Sequence, residues 1–265
     1  MKAYYGVTKS GETVSSYTLK NGSGFEAVLL DYGAILDRLY VPDTDGKALD
    51  VTLSCASIED YEADVNFFGC TVGPVANRIA RGEAPIDGVV YQMIVNDGEN
   101  NLHTDVVNGV HKRVWKAEEK ANGVKFSIDL KDGEFGLPGN RTLEVTYSIT
   151  DDNGLKIEYH AVSDKKTLFN MTNHTHFNLD GHNSGSVLEH ELTLNASKYT
   201  LVGDGAIPTG EIVSVLDTDL DFTKGKKVGK DIEADNSQIK LVEGYDFNYV
   251  IDNHDGKLKE VAVLK

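Results

Sequence analysis

Apolar and polar residues alternate along much of the chain, with the two-residue period of a β-strand. In Leu143-Glu144-Val145-Thr146-Tyr147-Ser148-Ile149 every second residue is apolar, and the pattern resumes at Leu155-Lys156-Ile157-Glu158-Tyr159-His160-Ala161. Successive strand residues point to opposite faces, so these segments predict a hairpin with one buried face and a turn at Asn153-Gly154. Val124-Phe126-Ile128-Leu130 and Leu188-His190-Leu192-Leu194 alternate likewise and predict further strands. Phe25 to Val41 is a more continuous apolar run around Tyr32-Gly33-Ala34, as expected of strands covered on both faces. Only one helix is expected, a short one at Ser57-Ile58-Glu59-Asp60-Tyr61-Glu62. There Ser57 and Asp60 nearly match a capping box.

Composition sharpens the fold class. The 26 glycines against 5 prolines suit the many tight turns of an antiparallel sheet. No Pro/Ser-rich linker, repeat or low-complexity tract divides the chain. One all-β domain over residues 1–265, a large sandwich, is therefore expected. A hydrophobic share of 40% is enough to build a core and excludes wholesale disorder.

The net charge of −16 repels phosphate backbones and anionic lipid, so neither nucleic acid nor a membrane surface is an expected partner. A neutral ligand such as a sugar is indifferent to it. Cys55 and Cys70 are the only cysteines and form no CxxC pattern. Two reduced, buried thiols are expected rather than a disulfide or metal framework. Met1-Lys2-Ala3-Tyr4-Tyr5-Gly6 lacks the apolar core of a signal peptide, and no apolar run could span a bilayer. A cytoplasmic location is expected.

Four stretches could carry chemistry. In Gly73-Pro74-Val75-Ala76-Asn77-Arg78-Ile79, Arg78 can offer a planar fork of donors to neighbouring oxygens, or can be an ordinary structural arginine. Asn96-Asp97-Gly98-Glu99-Asn100-Asn101-Leu102-His103 runs turn formers into a histidine at a loop-to-strand junction, where binding residues often sit. In Thr172-Asn173-His174-Thr175-His176-Phe177, an extended backbone would point both histidines to one face. Such a pair can contribute to a metal site, supply a general acid with a pKa of about 6.5, or be structural. In Glu243-Gly244-Tyr245-Asp246-Phe247, an acid between aromatics can grip a sugar, carboxylate to hydroxyls and ring to C–H, or can be a solvated turn. No P-loop and no Gly-x-Ser-x-Gly elbow is present.

Taken in order, these stretches resemble the aldose 1-epimerases (galactose mutarotases). Val72 to Ile79 is followed by Asn96 to His103, Lys112-Arg113-Val114-Trp115, Thr172 to Leu179, Ile207-Pro208-Thr209-Gly210-Glu211 and Gly244 to Asn248. The resemblance implies a large antiparallel β supersandwich. It implies interconversion of the α and β anomers of a hexose such as galactose or glucose, without cofactor or metal. It places the general acid on His174 and sugar contacts on Asn77, Arg78, His103 and Asp246. Position 176, often aromatic in that family, is His176 here and is also expected among the sugar contacts. The family's Leu-Glu-Thr-Gln-like stretch, with the base glutamate, does not occur between Met1 and Lys265. The expectation at this level is a fold lacking its C-terminal strands, to be completed by a further segment or a partner chain, and doubtful activity of residues 1–265 alone. A carbohydrate-binding protein without the base is the alternative. Glu243 is not assigned as base.

Overall fold

The alternating segments form antiparallel ladders in the computed structural model, which describes every residue from Met1 to Lys265. They gather into two units, Met1–Asn183 and Ser184–Lys265.

In the first unit, β1 (Lys2–Val7), β2 (Thr13–Lys20), β3 (Glu26–Leu30), β4 (Ile35–Pro42) and β5 (Ala48–Asp50) form a five-stranded sheet in sequential order. After α1 (Ile58–Ala63) come five short strands: β6 (Thr71–Val72), β7 (Arg78–Ile79), β8 (Glu83–Ile86), β9 (Val89–Gln92) and β10 (Asn101–Leu102). A four-stranded sheet follows, built of β11 (Lys116–Lys120), β12 (Gly123–Leu130), β13 (Arg141–Ile149) and β14 (Leu155–Ser163), and β15 (Thr172–Asn173) ends the series.

The two large sheets share one core. Tyr17, Ala27, Leu29 and Leu36 from the first pack with Val124, Phe126, Leu143, Val145 and Tyr147 from the second. The Tyr17 and Phe126 rings meet edge to face at 5.6 Å. Each large side chain so buried contributes about 1.5–3 kcal/mol. Leu29 faces this core while its neighbour Leu30 faces a second cluster with Val14, Ile35, Ile58, Tyr61 and Phe67. The first sheet is therefore covered on both sides, which is why Phe25 to Val41 reads as a continuous apolar run.

The predicted hairpin is β13 and β14, paired from Arg141 opposite Ser163 to Ile149 opposite Leu155, with Asn153 in the left-handed region at φ 65°. Its two strands differ in burial. Leu143, Val145 and Tyr147 are fully buried, whereas Leu155, Ile157 and Ala161 are only half-buried because β14 is the outermost strand.

The second unit holds β16 (Glu191–Leu194), β17 (Lys198–Gly203), β18 (Ile207–Ser214), β19 (Lys226–Lys227), α2 (Ser237–Val242), β20 (Tyr249–Val250) and β21 (Ala262–Leu264). These strands form two three-stranded sheets, in the orders β19-β16-β21 and β18-β17-β20.

Two local expectations are corrected here. The strand predicted from Leu188 begins only at Glu191, because His190 N–H turns back to the Val187 carbonyl at 3.1 Å. A second helix, α2, exists where none was expected. Asn236 caps it, its side chain accepting from Gln238 N–H and Ile239 N–H, and only Ile239 is buried, so no apolar stripe announced it. Cys55 and Cys70 are both free, Cys70 buried and Cys55 half-buried. No helix is long and apolar enough to cross a membrane.

The expected helix at Ser57 is α1, and its far end has a cap that comes from outside. Lys112 Nζ donates to the carbonyls of Tyr61, Glu62 and Asp64 at 2.8, 3.3 and 2.6 Å. These are carbonyls a six-residue helix leaves unpaired, and the cation opposes the negative end of its dipole. Lys112→Met is expected to cost about 2–3 kcal/mol, read as a lower urea midpoint at unchanged slope. A midpoint equal to wild type would show that water serves those carbonyls equally well.

Candidate active site

Two short ladders bring distant fragments together. β7 pairs with β10, setting Arg78 opposite Leu102, and β6 pairs with β15, setting Asn173 opposite Thr71. Beyond the first ladder, His103 N–H donates to the Asn77 carbonyl at 3.0 Å, and Asn77 N–H donates to His103 Nδ1 at 2.9 Å. Asn77 Oδ1 accepts from Arg78 N–H at 2.7 Å, and Arg78 Nε donates to Asp97 at 2.8 Å. The Asp97 turn thus aims the guanidinium.

The second ladder holds His174 from both sides. Its N–H donates to the Cys70 carbonyl at 2.9 Å, and its carbonyl accepts from Gly69 N–H at 3.1 Å. Asn173 Nδ2 donates to the Gly69 carbonyl at 2.9 Å and to Tyr147 Oη at 3.1 Å. Tyr147 in turn donates to the Ala34 carbonyl at 2.8 Å, so the core sandwich braces the histidine segment.

Three imidazole rings converge on Phe67. Its centroid lies 4.9 Å from His103, 4.6 Å from His111 and 5.5 Å from His174. His103 and His174 are 5.4 Å apart, and His174 and His176 are 5.1 Å apart. Phe67, Asn77, His103 and Thr104 all have φ between 52° and 69°. For residues other than glycine such backbone costs about 1–3 kcal/mol each and survives only where surroundings impose it. Asp64 supplies part of that constraint by accepting from Asn66 N–H at 2.8 Å and Phe68 N–H at 2.9 Å.

Burial, then the nearby His174 and Arg78, pushes His103 down to about 4, so its imidazole is neutral at pH 7. With Nδ1 accepting from Asn77 N–H, the proton sits on Nε2, a fixed donor. His111 is pushed down to about 3 by burial and then Lys112, and His176 is also lowered, chiefly by burial.

These shifts set a pH dependence of stability. Below 6.5 the unfolded chain binds protons at positions 103 and 111 that the folded chain refuses until about 4 and about 3. Acid therefore favours unfolding across that window. Stability is expected to fall by about 2–3 kcal/mol between pH 7.5 and 5.5, before most carboxylates titrate. Urea titrations at the two pH values measure it, and equal stability at both would refute the buried neutral histidines.

Of the residues singled out in the sequence, Asn77, Arg78, His103, His174 and His176 come together in the first unit. Asp246 belongs to the second unit, four residues beyond the end of α2, and is exposed. The aromatics beside it turn inward: Tyr245 packs on Phe222 at 5.0 Å and Phe247 on Tyr199 at 5.3 Å. They serve the local core. Glu243 ends α2 in the left-handed region at φ 56°. Phe67, Phe68, His111 and Asp97 were missed as site neighbours, although the paired Phe67-Phe68 before Gly69 is an audible signal. Nowhere do three or more His, Cys, Asp or Glu side chains cluster so as to hold a metal ion.

The sequence profile of the aldose 1-epimerases, described as "Aldose 1-epimerase", matches residues 15–265. The chain is 37% identical to the aldose 1-epimerase of Escherichia coli K12 over 249 residues, which are 93% of this chain and 71% of that protein. It is 35% identical to the galactose mutarotase of Sus scrofa over 251 residues, 94% of this chain and 71% of that one. Among solved structures, the galactose 1-epimerase of Lactobacillus acidophilus NCFM superposes with a TM-score of 0.87 at 31% identity, covering 100% of this chain and 76% of its own. An antiparallel sandwich, a matching profile over nearly the whole chain and relatives of this similarity lead to one conclusion: the chain belongs to the aldose 1-epimerase family.

Proposed function

We propose that the protein is an aldose 1-epimerase that interconverts the α and β anomers of a hexose such as galactose or glucose. The observation that carries this reading is the edge-to-face pair of imidazoles, His103 and His174, 5.4 Å apart beside the Asp97-anchored Arg78. In this reading His174, protonated, donates to the ring oxygen while a carboxylate takes the proton from the C1 hydroxyl. The ring opens to the aldehyde, the C1–C2 bond rotates, and reclosure yields the other anomer. Neutral His103 donates from Nε2 to a sugar hydroxyl, Arg78 supplies charged donors to neighbouring hydroxyls, and Asn77 holds both. Asp246 is assigned hydroxyl binding on the resemblance alone. The base is assigned to no residue between Met1 and Lys265. The family profile runs through both units, which supports reading them as one domain.

Polarimetry of freshly dissolved α-galactose and α-glucose with the full-length protein tests the proposal. Relaxation to the anomeric equilibrium is expected to be faster than in buffer, in proportion to protein concentration. Hexose binding by calorimetry with no added rate would overturn it and leave a carbohydrate-binding protein.

A further inference from the structure

His174 Nδ1 and His176 Nε2 lie 3.1 Å apart, with the two rings inclined by 33°. A contact of that length between imidazole nitrogens holds one proton, and the question is which ring owns it. A His174 imidazolium carries a proton on each ring nitrogen, so in the acid form its Nδ1 donates across this contact and His176 Nε2 accepts. Phe68 stands edge-on to the His176 ring at 5.2 Å and 82°, holding its plane. Facing the pair are His103, with Arg78 and Asp97 behind it, and Asp64 on the His176 side.

On the reading of His174 as the acid, we propose that His176 is a positioning residue. It accepts from His174 Nδ1–H, fixes that ring and leaves Nε2 as the nitrogen that carries the catalytic proton. The proton count closes: neutral His174 keeps its Nδ1 proton throughout, gains one on Nε2 from solvent, and gives that one to the ring oxygen. This is a different task from contact with the sugar, and it belongs to a position where the resemblance more often has an aromatic side chain.

Ring ¹⁵N chemical shifts and mutarotation kinetics test the pair together. In wild type, neutral His174 should show a protonated Nδ1 and a bare Nε2. His176→Phe keeps the aromatic packing and removes the acceptor. It should abolish that tautomer preference and lower kcat about tenfold, with KM within about threefold, as misorientation of an acid does. His176→Gln, whose amide oxygen can accept, should restore most of both. An unchanged His174 tautomer in His176→Phe overturns the proposal, and so does an unchanged kcat in an active enzyme. If the wild type catalyses no mutarotation, the functional reading fails separately, and the tautomer alone decides whether the pair is as described.

Discussion

Replacing His174 with Asn is expected to lower mutarotation turnover by about two to four orders of magnitude, the usual worth of a positioned general acid. The backbone around it should survive, because its anchors are main-chain and neighbouring groups: His174 N–H to Cys70, His174 carbonyl from Gly69, and the Asn173 amide to Gly69 and Tyr147. Asn fits the space and can hydrogen-bond, yet it has no proton to give at neutral pH. Ring opening then relies on water to protonate the departing ring oxygen. Because sugar contacts assigned to Asn77, Arg78 and His103 remain, KM should change far less than kcat. Polarimetry at several sugar concentrations separates the two. Turnover within a few-fold of wild type would remove His174 from the role of acid.

A large effect on the fold is expected from Gly69→Ala. Gly69 adopts φ 64°, and a Cβ there would lie 2.1 Å from the Leu36 carbonyl oxygen, a backbone atom that cannot swing aside. The same residue donates to His174 at 3.1 Å, and its carbonyl accepts from Leu36 N–H at 2.8 Å and from Asn173 at 2.9 Å. Relieving the clash must therefore displace β4, the histidine segment, or both. A loss above about 3 kcal/mol is expected, or roughly 10 °C in melting temperature for a chain of this size. Gly22→Ala is the control, since nothing lies within 4 Å of its Cβ position, and it should change stability by less than about 0.5 kcal/mol. Equal melting temperatures for the two variants would show that Gly69 is not the wedge described.

Strand identity was legible in the sequence wherever burial is one-sided, because a two-residue side-chain period has a direct image in the order of apolar residues. β12, β13 and β14 were found that way, with the Asn153 turn between the last two. The start of α1 was legible because Ser57 caps locally, its side chain accepting from Asp60 N–H. α2 was not, since six residues with one buried side chain leave no periodic trace. The strand predicted from Leu188 failed at its first residues because a main-chain turn at Val187–His190 overrides alternation there.

The candidate site divides along the same line. The sequence by itself determined which chemistry-bearing residues exist and in what order, from Asn77-Arg78 through His103 to His174 and His176, because residue type and local spacing are properties of the chain. Their adjacency was decided only by tertiary structure. Two-residue ladders such as β6–β15 and β7–β10 have too little local signal to predict, and they form because the sandwich around Tyr147 holds their ends in place. The protonation state of His103 is decided there too. Its neutrality comes from burial and from His174 and Arg78, and each of those neighbours is set beside it by a different part of the fold.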